Sequence, residues 1–332
     1  MNFKRLIAAC LLVLFVFGAA ACNKEEDMES TEEITEAPTE TSKKTTKKEK
    51  QTEPPVALEN VEGLDLSLTI LSQNLCATDR PNGNSIEERT ERFDALLDEY
   101  SPDIVGTQEV PMDMANHFGR LDEYGAVGLS NRGSRPRGGQ WNMILYKKDR
   151  FVLMDEGTFW LSGSPDTSSL AVGAADARTC TWAELFDTYT GRTLIMINTR
   201  FDYMSESVRE DQAGILFRRL NKELGDRMNT SWVYLACDLN GTEEEEAHTL
   251  IYDRAFIDAR DVAEKDLSVG KGTYHAFGNI EGGMETSFIF HRGNDTVTSY
   301  EIIEKGYTAK GQSTPGYVSD HYGVIVNFKM AD

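Results

Sequence analysis

A polar pair follows an apolar run in the second half of this chain. Residues 233–237 are apolar, Asp238 and Asn240 come next with one residue between them, and Gly241 closes the segment. Such a run, with a β-branched start and a glycine at its end, is typical of a buried strand. In an extended backbone residues two apart point the same way, so this carboxylate and amide suit holding a polarised water or a phosphoryl oxygen. A structural role also fits, in which Asp238 caps the next segment and Asn240 makes a turn.

The elements that must position such side chains alternate between strands and helices. Alternating apolar residues over 64–70 predict a half-buried strand that leads to Asn74. Helical spacing over 86–100 predicts a helix, and 104–109 predicts a short strand that ends at Glu109. Further strands are predicted at 142–146, 151–161, 193–199, 287–290, 296–303 and 324–328, and further helices at 112–121, at 207–224 and from Thr242 onward.

The number and order of these elements indicate a layered α/β fold. Polar residues cluster where strands end, which is the usual place for a site in an open α/β sheet. A turn over 187–192 also predicts a hairpin between two strands. We therefore predict a four-layer α/β/β/α sandwich, in which two packed mixed β-sheets are flanked by helices.

Five short polar motifs follow one another along the chain in a recognisable order. They are Gln73-Asn74, Thr107-Gln108-Glu109, Asn198-Thr199, Cys237-Asp238-Leu239-Asn240 and Ser319-Asp320-His321. In this order and spacing the chain resembles the endonuclease/exonuclease/phosphatase superfamily, the metal-dependent phosphodiesterases and phosphatases related to the DNase I fold. The likeness spans roughly residues 64–328, and segments 157–162, 178–182 and 272–277 resemble a bacterial branch of that family.

The resemblance implies in-line attack of water on phosphorus, assisted by Mg²⁺ or Mn²⁺. Such hard cations take oxygen ligands and stabilise charge on phosphoryl and leaving oxygens. By this likeness Glu109 is the principal metal ligand and Asp320 is a second one. Asn74 lies close to them and binds the phosphate group.

The resemblance also assigns the catalytic residues. Asp238 would orient or deprotonate the attacking water, and Asn240 would hold that water or a phosphate oxygen. His321 would contact the phosphate or stabilise the developing charge. His275 is a further candidate for substrate binding, with a packed structural histidine as the alternative.

Three positions depart from the family pattern. Arg200 stands where the family has a histidine, Gln140 where it has a glutamate, and Ser287 where it has an aspartate. His321 thereby loses its carboxylate partner, which leaves it less well oriented and less basic. Arg200 is a good bidentate partner for a phosphate. The site loses carboxylates and gains a cation, which favours binding an anion with reduced metal dependence.

The overall charge narrows the class of ligand. The formal net charge is −21, so phosphate backbones repel the chain and tight binding of bulk nucleic acid is not expected. The Gly/Arg segment 131–139 nevertheless carries Arg132, Arg135 and Arg137. It is either a solvated loop or a cationic rim for an anionic substrate. We expect a monomer that acts on a phosphorylated small molecule, a nucleotide or a phosphodiester.

The first residues predict targeting and not fold. A basic start, an apolar stretch over 6–17 and small residues before Cys22 resemble a bacterial lipoprotein signal peptide over 1–21, although Ala19 stands where leucine is usual. An ordinary cleaved signal peptide is the alternative. A lipid on Cys22 would be the only membrane contact, on the extracytoplasmic face of the bacterial cell membrane. Residues 22–58 predict a disordered tether, and 59–332 the folded domain.

Three cysteines remain beyond the signal region, Cys76, Cys180 and Cys237. Each lies in an apolar or strand-like run, so we expect small buried hydrophobes, with one disulfide plus a free thiol as the alternative.

Two functions stay open on the sequence alone. One is a tethered, metal-dependent phosphoester hydrolase with an attenuated site. The other is a non-catalytic family member that binds an anionic ligand or a partner protein at the altered site. Both functions require that one cleft contain the six predicted site residues, Asn74, Glu109, Asp238, Asn240, Asp320 and His321.

Overall fold

The computed structural model describes residues 55–59, 66–80 and 83–330. The predicted signal peptide, Cys22 and most of the predicted tether lie outside these residues. Within them, no helix is long and apolar enough to cross a membrane.

The elements follow one another in an order close to the predicted one. They are β1 (Leu68–Asn74), α1 (Ile86–Tyr100), β2 (Ile104–Val110), α2 (Met112–Phe118), β3 (Tyr124–Val127), β4 (Trp141–Lys147), β5 (Phe151–Trp160), β6 (Thr179–Asp187), β7 (Arg192–Arg200), α3 (Glu206–Leu224), α4 (Arg227–Thr230), β8 (Trp232–Asp238), α5 (Glu246–Tyr252), β9 (Ile257–Asp258), a 3₁₀ turn (Ala276–Gly278), β10 (Ser287–Arg292), β11 (Thr296–Ile303) and β12 (Gly323–Lys329).

The strands of the described residues form two six-stranded sheets. The first has the order β11-β12-β1-β2-β4-β3, and the second has the order β5-β6-β7-β8-β10-β9. Each is antiparallel except for one central parallel pair, β1 with β2 and β7 with β8. The hairpin predicted around 187–192 is confirmed, since β6 and β7 pair from Asp187 and Arg192 outward.

Three apolar clusters separate four layers. One fills the space between the sheets and includes Ile70, Ile104, Met196 and Ala236. A second lies between the first sheet and the helices α1 and α2, and a third lies between the second sheet and the helices α3 and α5. Burial of apolar surface on both faces of each sheet drives this arrangement. The predicted four-layer sandwich is confirmed.

Two predicted helix bounds were wrong. The helix expected from Thr242 begins only at Glu246, because Thr242 bonds to Glu244 and the Glu245 carboxylate is taken by Arg209 at 2.6 and 2.7 Å. A side chain held in that way keeps the first acidic residues in a turn. The helix expected over 112–121 ends at Phe118, where Gly119 follows.

Asn198 joins the two sheets beneath the edge where the site lies. Its Nδ2 donates to the backbone carbonyls of Thr107 and Met143 at 2.8 and 2.7 Å, and its Oδ1 accepts from Gln108 at 2.8 Å. The sheets approach closely here, since a Cβ on Gly106 would lie 2.5 Å from the Cβ of Ala236. Asn198 therefore fixes the distance between the strand ends that carry the site.

We predict that Asn198→Leu lowers the free energy of unfolding by about 2–4 kcal/mol, because it removes three buried hydrogen bonds to the first sheet, those with Thr107 O, Met143 O and Gln108 Nε2. Urea unfolding measures the effect. Asn221→Leu, on the exposed face of α3, is the control and is expected to change stability by less than about 0.5 kcal/mol. Equal stability of the two variants would contradict the assigned role of Asn198.

Candidate functional site

Four strand ends bring polar side chains to one edge of the sandwich. Asn74 ends β1 and is paired with Gln108 of β2, directly before Glu109. Arg200 ends β7 and is paired with Asp238, which ends β8. Parallel neighbours end at the same edge, so each sheet contributes one pair of side chains to the same place.

Asn74, Glu109, Arg200 and Asp238 form a closed hydrogen-bonded group that we call the carboxylate clamp. Arg200 lies between the two carboxylates, with Nη2 2.8 Å from Glu109 Oε1 and Nε 3.0 Å from Asp238 Oδ2. Asn74 Nδ2 donates to the same two oxygens at 2.9 and 2.7 Å. Two donors, one from each sheet, therefore bridge two acceptors, one from each sheet.

The backbone bends sharply at the residues that supply the clamp. Glu109 has a φ of 51°, and the register of β2 against β4 shifts between Thr107 and Val110. Asn240, two residues after Asp238, has a φ of 52°. Left-handed conformations are unfavourable for residues other than glycine and are concentrated at functional sites. The bends thus fall at the two strand ends that supply Glu109 and Asp238.

The charges of the clamp support one another. Burial raises the pKa of the Asp238 carboxyl, but His321 and Arg200, with hydrogen bonds from Asn74 and Arg200, hold that pKa below its ordinary value. Burial lowers the pKa of Arg200, but Glu109 and Asp238 hold it above its ordinary value. Both groups are therefore charged at neutral pH, in a place that water hardly reaches.

Asn240 and Asp320 lie at the same edge but make mainly local contacts. Asn240 donates through Nδ2 to the Phe201 carbonyl at 2.8 Å and through its backbone N–H to Asp238 Oδ1 at 3.2 Å. The Asp320 carboxylate accepts from Ser319 Oγ at 3.2 Å. It lines a cleft of about 340 Å³ together with Tyr274, Phe277 and neighbouring residues.

His321 completes the edge but lacks a partner on one side of its ring. It is buried, and it interacts electrostatically with Asp238. Its Nδ1 and the Ser287 Oγ are both buried without a hydrogen-bond partner among the described residues. Ser287 is directly opposite Asp238 in the pairing of β8 with β10. Two orphaned polar atoms thus accompany the exchange of the expected aspartate for serine.

His275 lies in the wall behind the cleft. Its ring stacks on Tyr322 at 3.8 Å between centroids, and its Nδ1 accepts from the Gly278 N–H at 3.0 Å. Burial, with the nearby His321, lowers the pKa of His275 to about 4, so the ring is neutral at physiological pH. The cleft is lined by its neighbours Tyr274 and Ala276. This placement favours the structural alternative for His275 over substrate binding.

Arg178 is a site residue to which the sequence assigned no role. Its side chain is only 3% exposed, and its Nε donates to Asp202 Oδ2 at 3.0 Å. Burial and then the charge of Arg200 lower the pKa of Arg178, which shows how near the two guanidinium groups are. Its sequence signal was weak, because Asp202 follows 24 positions later and only the β6–β7 pairing brings the two together.

The Gly/Arg loop begins and ends beside Arg178 and Arg200. Asn131 and Gln140 close the loop with two hydrogen bonds, at 2.8 and 2.9 Å. Both residues line a narrow cleft with Arg178 and Arg200. The exposed Arg132, Arg135 and Arg137 are therefore carried by a loop that starts beside the two buried arginines. The cationic rim stays a prediction, now with a defined position.

The donor set of the carboxylate clamp does not fit a divalent metal ion. Asn74 accepts a hydrogen bond from the Cys76 N–H through its amide oxygen, at 2.8 Å, and turns its nitrogen to both carboxylates. Arg200 turns two more donors to the same oxygens. Across the described parts of the chain, no three or more His, Cys, Asp and Glu side chains are placed to hold a metal ion. Metal binding by Glu109 and Asp320 remains a prediction.

Solved structures share this architecture over nearly their whole length. The mannosyl-6-phosphatase of Bacteroides thetaiotaomicron VPI-5482 is 21% identical, with a TM-score of 0.72 over 79% of this chain and 100% of that one. An endonuclease/exonuclease/phosphatase from Bacteroides vulgatus is 25% identical, with a TM-score of 0.70 over 80% of this chain and 100% of that one. The chain has the fold of the endonuclease/exonuclease/phosphatase superfamily. The predicted resemblance is confirmed.

A more distant structure with this fold is D. rerio TDP2 complexed with a single-strand DNA product. It is 17% identical, with a TM-score of 0.58 over 80% of this chain and 100% of that one. No protein-family model matches the chain, and no curated protein matches its sequence. Proteins with this superfamily fold thus include a mannosyl-6-phosphatase and a protein solved in complex with a single-strand DNA product.

We predict that Arg200→Gln lowers the free energy of unfolding by about 3–5 kcal/mol at pH 7, because it leaves Asp238 as a buried carboxylate without its cation. The folded-state pKa of Asp238 lies below its unfolded value, so its ionised form contributes stability above an unfolded pKa of about 3.9. That contribution is lost as the pH falls through the folded pKa. The difference between variant and wild type should therefore shrink below about pH 4.

Urea unfolding at pH 7 and at pH 3.5 measures this difference, with Arg218→Gln on the exposed face of α3 as the control. A difference that is the same at both pH values would mean that Arg200 stabilises the fold by packing and not by pairing with Asp238.

Proposed function

We propose that this protein binds a phosphorylated compound at the edge that carries the carboxylate clamp and hydrolyses its phosphoester with water. The observation that carries this proposal is the convergence of the clamp with His321 and Arg178 at one edge of a fold that a phosphatase shares. The substrate class is a phosphorylated small molecule, a nucleotide or a short phosphodiester.

Two arginines and a histidine are the side chains that this edge offers to a phosphoryl group. Phosphoryl transfer needs little covalent help, and its catalysis consists mainly of positioning and of stabilising charge on the phosphoryl oxygens. Arg200 and Arg178 supply fixed guanidinium donors, and a guanidinium matches the geometry of a phosphate. His321, which interacts electrostatically with Asp238, would bind the same group.

Asp238 is placed to hold Arg200 in position and is a poor base for activating a water molecule. Its Oδ2 accepts from Asn74 and Arg200, its Oδ1 accepts from the Asn240 N–H, and its side chain is wholly buried. A carboxylate so engaged, with a lowered pKa, is a weak proton acceptor. Together with the orphaned His321 Nδ1, this supports an attenuated rate of hydrolysis.

The predicted Mg²⁺ or Mn²⁺ would bind to the free oxygens of Glu109 and Asp320. It would stabilise charge on the phosphoryl group, as such ions do in phosphoryl transfer. Because the clamp does not fit the ion, the steps above use only the side chains of this chain.

The proposed location is the extracytoplasmic face of a bacterial membrane, with Cys22 as the lipidated residue and residues 22–58 as the tether. A soluble domain on such an anchor would meet small phosphorylated compounds, and its formal net charge of −21 disfavours bulk nucleic acid.

A second function is favoured by one observation. Ser287 Oγ and His321 Nδ1 are both buried and lack partners among the described residues, which indicates a histidine that is no longer held for proton transfer. In that case the cleft binds the phosphorylated ligand without cleaving it.

We predict that the wild type turns over p-nitrophenyl phosphate slowly and that Ser287→Asp raises kcat by about 10–100-fold, because a carboxylate partner orients the histidine ring. His321→Ala should lower kcat by about 10²-fold or more. Steady-state kinetics with a phosphomonoester and a phosphodiester measure both effects. Phosphate binding without any turnover, in the wild type and in Ser287→Asp alike, would overturn hydrolysis and leave the binding function.

A further inference from the structure

We propose that the Arg200 guanidinium is the resident cation of this cleft, so that a phosphate group binds here without a divalent metal ion. This inference rests on the proposed function, since it concerns the same phosphate site. It starts from the position of Arg200, which donates to Glu109 Oε1 at 2.8 Å and to Asp238 Oδ2 at 3.0 Å. The charge that a metal ion would balance is already balanced by a side chain.

The orientation of Asn74 is fixed independently of any ligand. The Cys76 backbone N–H is only a donor, so the atom that faces it at 2.8 Å must be the amide oxygen. Turning the amide over would place its NH₂ against that N–H and its oxygen against Glu109 and Asp238. Asn74 therefore supplies a donor to the carboxylates, and its oxygen faces the Cys76 N–H and not Glu109 and Asp238.

A divalent ion on the free oxygen of Glu109 would lie beside the Arg200 guanidinium, which donates to the other oxygen of that carboxylate. The Arg200 side chain is only 10% exposed, so it has little room to move away from the ion. If Arg200 did move, Asp238, which is wholly buried, would lose a charged partner. Arg200 would also remain close to the new ion and to Arg178, and like charges at short range repel each other.

A second exchange, at position 140, also removes negative charge from the site. Gln140 lines the narrow cleft with Arg178 and Arg200, and it is neutral where the family resemblance implies a carboxylate. A neutral amide beside two guanidinium groups adds no negative charge on this side, where each guanidinium is already paired with a carboxylate. The exchange of one carboxylate and the gain of one cation thus act together to favour an anion.

Donor capacity remains for that anion. A guanidinium has five N–H donors, of which Arg200 uses two on the carboxylates and Arg178 uses one on Asp202. The Nη groups of Arg178 have no hydrogen-bond partner among residues 66–80 and 83–330. A phosphate oxygen would meet these unused donors at the cleft that both arginines line, whose volume is only about 10 Å³.

Calorimetric titration of the purified protein with inorganic phosphate tests the inference, once in EDTA and once in millimolar Mg²⁺. We expect the same Kd within about twofold in both buffers and a loss of at least about tenfold in Arg200→Ala. Arg218→Ala, on exposed α3, is the matched control and should bind as the wild type does. Circular dichroism checks that each variant is folded.

A double variant tests whether Arg200 is what excludes the metal. Arg200→His with Gln140→Glu restores the residues that the resemblance implies, and we expect Mg²⁺ to strengthen its phosphate binding by about tenfold or more. Absence of any Mg²⁺ effect on the folded double variant would contradict the role given to Arg200.

The outcomes for the wild type separate the two proposals. Phosphate binding that needs Mg²⁺ overturns the proposal that Arg200 serves as the cation, and leaves the proposed phosphoester function intact. Absence of phosphate binding in both buffers overturns both that proposal and the proposed function. Equal binding in EDTA and in Mg²⁺ supports both.

Discussion

The contact of Arg200 with Glu109 and Asp238 is the interaction on which this site depends. It joins the last residue of one central strand to carboxylates from both sheets, at 2.8 and 3.0 Å. A buried carboxylate such as Asp238 is tolerated only when a cation and hydrogen bonds hold it. The sandwich supplies that arrangement because its two parallel strand pairs end at one edge and because Asn198 ties the sheets together just beneath it.

The same contact explains why the site differs from the family pattern in several places at once. A guanidinium between two carboxylates neutralises charge that would otherwise attract a metal ion, and it needs no carboxylate at position 140. The neutral Gln140 and the neighbouring Arg178 then form a wall that favours anions. Ser287 and the orphaned His321 Nδ1 fit a cleft that binds phosphate more readily than it moves protons. Stability and ligand preference are thus coupled through one side chain.

The sequence predicted the layers and the strand ends because both follow from local patterns. Period-two and helical spacing marked the elements, and the order of polar motifs placed Asn74, Glu109 and Asp238 at one edge. It could not predict that Arg200 spans two carboxylates, since that depends on the distance between the sheets. The Arg178–Asp202 pair and the left-handed Glu109 likewise arise from tertiary contacts. The false helix start at Thr242 has the same cause, because Arg209 comes from another helix.

Anomalous diffraction from crystals grown in millimolar Mn²⁺ tests the central claim most directly, because Mn²⁺ scatters anomalously and a guanidinium does not. We predict no anomalous peak between Glu109 and Asp238, and electron density for Arg200 in contact with both carboxylates. A Mn²⁺ peak at about 2.2 Å from a Glu109 oxygen, with Arg200 turned away from Asp238, would contradict this account.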